Sequence, residues 1–238
     1  MEMPAHIRAR KGEVAELVVA VGDPARAKQI AKMLRGAKLV NSNRGLLTFT
    51  GTFNGRRVTV ATHGLGGPSS AIVFEELRML GARVIVRLGT VGAMVKDLRI
   101  GDLIVATGAA CPEGSLRTYV PDGELPAVAD LGLTSRLAEV CEGEGLRHSV
   151  GVVFSSDAFY AEDVAFVERW AARGVLGVEM ECATLFTLGL LRGLKTASLL
   201  IVSDSLVRKG EGETLPAERL ESFVEKAASA VLEALTGP

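Results

Sequence analysis

Short, continuous apolar runs, each cut off by turn-forming residues and set among helical patterns, constrain this chain more than any other feature. Leu17-Val-Val-Ala-Val21 is the first, and it stops at Gly22-Asp23-Pro24, after which residues 25–34 read as a helix. Strands are likewise predicted over 84–86, 102–106, 150–154, 175–179 and 195–202, with helices over 70–80, 134–142, 164–172, 180–192 and 216–235. Strands this apolar are buried on both faces, so helices must cover both sides of their sheet. Residues 46–53 and 56–63 alternate around Asn54-Gly55 and read as a hairpin, which makes the sheet mixed. The expected fold class is α/β: a three-layer α/β/α sandwich around a central mixed β-sheet, in one domain over 1–238.

Composition narrows the function classes. Apolar residues make up 48% of the chain and charged ones 23%, enough for a core on both sheet faces. The net charge is −1 with lysine and arginine dispersed, so there is no electrostatic footprint for nucleic acid. No apolar run is long enough to span a bilayer, and the charged beginning Met1-Glu-Met-Pro-Ala-His6 does not read as a signal peptide, so a cytoplasmic protein is expected. Cys111, Cys141 and Cys182 are too sparse for a zinc site or a disulfide framework, and His6, His63 and His148 show no metal spacing. Neither metal nor cofactor is expected, and His63 and His148 read as structural or exposed. The single glutamine, Gln29, and three asparagines suggest a thermophilic source.

In folds of this class ligands gather beyond the carboxyl ends of the strands. Gly22-Asp23-Pro24-Ala25-Arg26 places free N–H groups and an arginine at a helix start, where an anion is favoured; the same turn also occurs for geometric reasons alone. Arg87 ends an apolar strand and needs an anionic partner, which can be an internal carboxylate or, together with Thr90, a phosphate. Glu179 and Glu181 flank Met180 where a strand meets a helix. They can grip the vicinal hydroxyls of a ribose, or cap the helix. Ser203-Asp204 follows the last strand at the rim of an apolar environment, suited to a general acid or to a cap. Phe159 and Tyr160 can stack on a flat base or pack in a core.

Taken in order, Val21-Gly-Asp-Pro-Ala-Arg26, Asn43-Arg44-Gly45, Arg87-Leu-Gly-Thr90-Val-Gly-Ala93, Ser155-Ser-Asp-Ala-Phe-Tyr160, Val178-Glu-Met-Glu181 and Ser203-Asp204 resemble the hexameric nucleoside phosphorylases, especially the archaeal 5′-methylthioadenosine and purine nucleoside phosphorylases. The resemblance covers nearly the whole chain. It implies a homohexamer, a trimer of dimers, acting on purine nucleosides with inorganic phosphate as co-substrate. Gly22, Arg26, Arg87 and Thr90 would bind phosphate, with Arg44 supplied by a neighbouring subunit. Met180 and Glu181 would hold the ribose, with a neighbour's His6 near its 5′ end. Phe159, Val178 and Glu179 would border the base, beside Ser203, and Asp204 would protonate the purine as it leaves. A uridine phosphorylase, a hydrolytic nucleosidase and a noncatalytic nucleoside-binding protein are the rival readings. The short interval 161–178, without glutamine, argues against uridine, and the arginines argue against water as the nucleophile.

Overall fold

A computed structural model describes residues 4–111, 114, 116–161, 163–208 and 217–237. Among them the order is β1 (Leu17–Val21), α1 (Pro24–Ala31), β2 (Arg35–Asn41), β3 (Thr48–Phe53), β4 (Arg56–Thr62), α2 (Gly67–Leu80), β5 (Val84–Ala93), β6 (Leu103–Ala110), α3 (Leu116–Tyr119), β7 (Ala127–Val128), α4 (Leu131–Gly143), β8 (His148–Ser155), α5 (Val164–Ala171), β9 (Val175–Glu179), α6 (Cys182–Arg192), β10 (Lys195–Ser205) and α7 (Ala217–Thr236).

All the strands join one mixed sheet flanked by helices, as the alternating pattern requires. Side-chain alternation sends Val18 and Ala20 of β1 into a core with α2 and α6, and Leu17, Val19 and Val21 into a second core with α1, α4 and α7. A smaller cluster places α5 against Phe154 and Val175.

The sheet runs β2-β3-β4-β1-β5 and continues through β10, β6, β8 and β9 back to β5. β5 allows this closure by its length. Its first half has β1 on one side, while Gly92 and Ala93 at its end pair antiparallel with Val178 and Gly177 of β9. A Cβ on Gly177 would stand 2.7 Å from the Gly92 carbonyl oxygen, so glycine permits this close approach.

Three of the differences from the sequence reading bear on the site and the sheet edge. No element was expected over residues 35–41, where β2 lies. Its residues 35–39 are exposed and lie at the sheet edge, so they lack the apolar alternation that marks a half-buried strand. β5 extends past 84–86 to Ala93, because its glycines and Arg87 interrupt the apolar run without interrupting the ladder to β10. β10 continues through Ser205 by a bulge between Val202 and Asp204, where a loop over 203–215 was expected. Residues 209–215 of that loop lie outside the described residues.

Candidate active site

At the end of β1 the chain turns through Gly22 into α1. Asp23 caps the helix by accepting from the Ala25 N–H at 2.7 Å, and Pro24 occupies the first turn. Arg26, half-buried, therefore starts a properly capped helix. Burial pushes its guanidinium pKa down, Asp23 opposes that shift, and the nearby positive charge of Arg87 adds to it. Two cations thus lie within electrostatic reach of each other at this turn.

Arg87 is 4% exposed within β5. One Nη2 donates to Glu181 and lies 3.2 Å from the Glu179 carboxylate. Burial works against the charge, but Glu181 and Glu179 more than compensate, so Arg87 remains firmly cationic. Glu181 stays below the usual carboxyl range although burial pushes the other way, because Arg87 stabilises its anion. The guanidinium folds back over Gly89 on the same strand face, occupying the space that a Cβ there would need. Its Nε and Nη1 have no hydrogen-bond partner. The internal ion pair foreseen for Arg87 is real, yet it leaves two donors of the fork unused.

Glu179 is almost fully occupied by the protein. It accepts from the Glu181 N–H at 2.8 Å, from the Cys182 N–H at 3.0 Å and from the Ser155 hydroxyl, which itself accepts from the Ala183 N–H at 2.9 Å. This carboxylate secures the amino end of α6 and holds Arg87. Glu181 accepts the Gly66 N–H at 2.6 Å, tying the glycine-rich loop before α2 to the same cluster.

One register row crosses four strands: Phe154 of β8, Val178 of β9, Gly92 of β5 and Asp204 of β10. A Cβ on Gly92 would lie 3.2 Å from Oδ2 of Asp204, so the glycine leaves room for that carboxylate. The Ser203 hydroxyl donates to the other Asp204 oxygen at 2.8 Å. Val178, Met180, Ser203, Asp204 and Thr90 are all half-buried. Thr90, three residues after Arg87 on β5, pairs in register with Ile201. Phe159 and Tyr160 stand in the loop after β8, 67% and 98% exposed, with their rings edge to face at 5.1 Å.

His6 and Arg44 form a separate group. Glu76 of α2 accepts the His6 N–H at 3.0 Å, the Ile7 N–H at 2.6 Å and a bond with His6 Nδ1 at 2.8 Å. Asn43 donates to the His6 carbonyl at 3.0 Å, and Asn41 accepts the Arg8 N–H at 2.9 Å. The turn so anchored carries Arg44, exposed and at φ +55°, a left-handed conformation that costs a non-glycine residue roughly 1–3 kcal/mol. No hydrogen bond or ion pair among the described residues joins this group to Arg87 or Asp204.

With this geometry in view, residues 16–236 match the family model of the phosphorylase superfamily. The chain belongs to that superfamily. Among curated relatives, a DeoD-type purine nucleoside phosphorylase of Myxococcus xanthus is 41% identical over 92% of this chain and 92% of its own. A guanosine phosphorylase of Halorubrum lacusprofundi is 36% identical over 97% of each. The crystal structure of a uridine phosphorylase from Vibrio fischeri superposes with a TM-score of 0.88 at 31% identity, covering 100% of this chain and 99% of the other.

Within this member of the phosphorylase superfamily, Glu76, Asn43 and Ser155 hold these groups in place, and sequence reading left them, like the buried His63, without a role. Glu76 lies in a helix and His63 after a strand, and neither has a neighbour in sequence that signals its partner. A groove of about 270 Å³ walled by Asp102, Arg147, Phe223 and Lys226 carries none of the residues of this site.

Proposed function

We propose that this chain cleaves the glycosidic bond of purine nucleosides with inorganic phosphate, giving free base and ribose 1-phosphate. The observation that carries the reading is the placement of Arg87 beside Ala20 of β1, two residues before the Gly22 turn that leads to Arg26, with two buried donors of Arg87 unpaired. A hydrolase needs no such anion site. The names of the relatives, purine nucleoside phosphorylase and guanosine phosphorylase, support the same chemistry.

In this reading Gly22, Arg26, Arg87 and Thr90 hold phosphate, and Glu181 with Met180 holds the ribose hydroxyls. Phe159, Val178 and Ser203 border the base. Glu179 acts through Arg87 and the α6 terminus, since its oxygens are already engaged. A phosphate oxygen attacks the anomeric carbon as the bond to the base breaks. The bonding electrons leave with the base, and Asp204 delivers a proton to its imidazole nitrogen. Positioning and electrostatic stabilisation of an oxocarbenium-like centre supply most of the acceleration, with no cofactor or covalent intermediate.

The strained turn of Arg44, joined to His6 through Asn43, is a prepared group left outside the cluster. It would complete a neighbour's site in a homohexamer, a trimer of dimers, with the partner subunit's His6 near the 5′ end. A cytoplasmic location and a thermophilic source complete the proposal. No helix among the described residues is long and apolar enough to cross a membrane.

Uracil lacks the imidazole nitrogen that Asp204 would serve. Gln29, the sole glutamine, is bound to the Glu221 carbonyl of α7 at 2.7 Å and is not free to read a pyrimidine. Specificity constants for inosine, guanosine, adenosine, 5′-methylthioadenosine and uridine at saturating phosphate test the assignment. The purine nucleosides are expected to lead and uridine to trail. A preference for uridine would overturn it, whereas rejection of methylthioadenosine alone would narrow the 5′ pocket.

A further inference from the structure

We propose that His63 is a further binding residue of the anion site, offering a neutral ring N–H to an oxyanion held between the Gly22 turn and Arg87. The inference rests on the phosphate reading above and adds to it a residue that carries no functional signal in its sequence neighbourhood.

His63 immediately follows β4, and its N–H donates to the Val21 carbonyl at 2.8 Å, which sets it beside Gly22. Its side chain is completely buried, and neither ring nitrogen has a well-aligned hydrogen-bond partner, the Gly64 backbone being the one main-chain group that acts on the ring. A Cβ on Gly22 would lie 3.6 Å from Cε1, the carbon between the two nitrogens. The nitrogen-bearing edge therefore faces the turn that opens α1. The ring also rests at 5.5 Å from Phe74 of α2, tilted by 57°. The loop is fixed from both ends: the Ser69 hydroxyl donates to the His63 carbonyl at 2.7 Å, and Gly66 holds Glu181.

A buried imidazole with no well-aligned partner on either nitrogen demands an explanation, and Arg87, whose charge acts on this ring, has two donors without a partner. A tetrahedral oxyanion has enough acceptor oxygens to satisfy the guanidinium and the imidazole together. Burial and then Arg87 oppose protonation of His63, with Glu181 and the Gly64 backbone pulling weakly the other way, which keeps the ring neutral at a pKa of about 4. It can thus donate a hydrogen bond without adding a third cation to the pocket.

Calorimetric titration with inorganic phosphate alone, on the parent, His63→Phe and His63→Gln, is the direct test. His63→Phe keeps the ring packing on Phe74 and removes the donor, so phosphate affinity should fall about tenfold or more, while the inosine KM changes little. His63→Gln restores a donor and should recover part of the loss. In the parent enzyme, ring 15N resonances of His63 should shift when phosphate is added, a readout that requires no variant to fold. Unchanged phosphate affinity in His63→Phe, an equal rise of both KM values, or silent ring resonances in a parent that binds phosphate would overturn the role of His63 alone. A parent that neither binds nor requires phosphate would instead overturn the underlying reading as well.

Discussion

Arg87 can carry its charge inside the sheet because Glu179 and Glu181 surround one edge of its guanidinium, and removing either partner from a buried pair of this kind costs about 3–5 kcal/mol. Asp204 differs, since it is half-buried and the one side-chain hydrogen bond described for its carboxylate comes from Ser203. Asp204→Ala should leave the fold intact and lower turnover of inosine by about 100-fold or more, with far less effect on nucleosides whose base is already cationic. Equal losses on both substrates, measured by steady-state kinetics, would make Asp204 structural. His63 gives a pH signature. Its folded pKa of about 4 lies below the ordinary 6.5, with burial the main cause and Arg87 the second. Between those values the unfolded chain takes up a proton that the folded chain refuses, so stability rises with pH across that interval and is lost as pH falls. The loss should be about 2 kcal/mol by pH 5 and about 3 kcal/mol by pH 4. Urea midpoints in phosphate-free buffer should show this slope in the parent and lose it in His63→Phe; an unchanged slope would refute the assignment. Arg87, Glu181 and Asp204 were legible in sequence because charges bordering apolar runs require an explanation. His63 was not, because a lone histidine reveals nothing until the fold places it under Gly22.

Elements were legible where their cause is local. Asp23 and Pro24 begin α1, and Asn54 at φ +47° with Gly55 at φ +75° turns the β3–β4 hairpin as the dipeptide suggested. Gly81 at φ +118° ends α2 in the same local way. β2 was missed because an exposed edge strand carries no apolar alternation. The true ends of β5 and β10 were missed because their last residues are held by each other: Gly92 pairs with Asp204 and Ala93 with Ser205. That ladder is what brings Asp204 into the row of Val178, a juxtaposition of segments far apart in sequence. The pairing of Glu179 and Glu181 with Arg87 has the same origin. The two acids flank Met180 where a strand meets a helix, as expected: Glu179 ends β9, Glu181 is the N-cap residue of α6, and both reach the arginine.

At the scale of the molecule, the closed path β5-β10-β6-β8-β9 gathers Asp204, Glu179 and Arg87, while the outer strands and the amino-terminal segment carry His6 and Arg44 away from them. If neighbours complete each other's sites, mixing inactive Arg44→Ala with inactive Asp204→Ala subunits should regenerate activity, because some sites then receive both intact residues. Verified mixing without rescue would exclude a shared site. The role of phosphate is the broadest claim, and it can be measured without any substitution. Inosine cleavage should be negligible in phosphate-free buffer, rise saturably with added phosphate, and release one ribose 1-phosphate for each hypoxanthine. Equal turnover without phosphate, with free ribose as the product, would contradict the account.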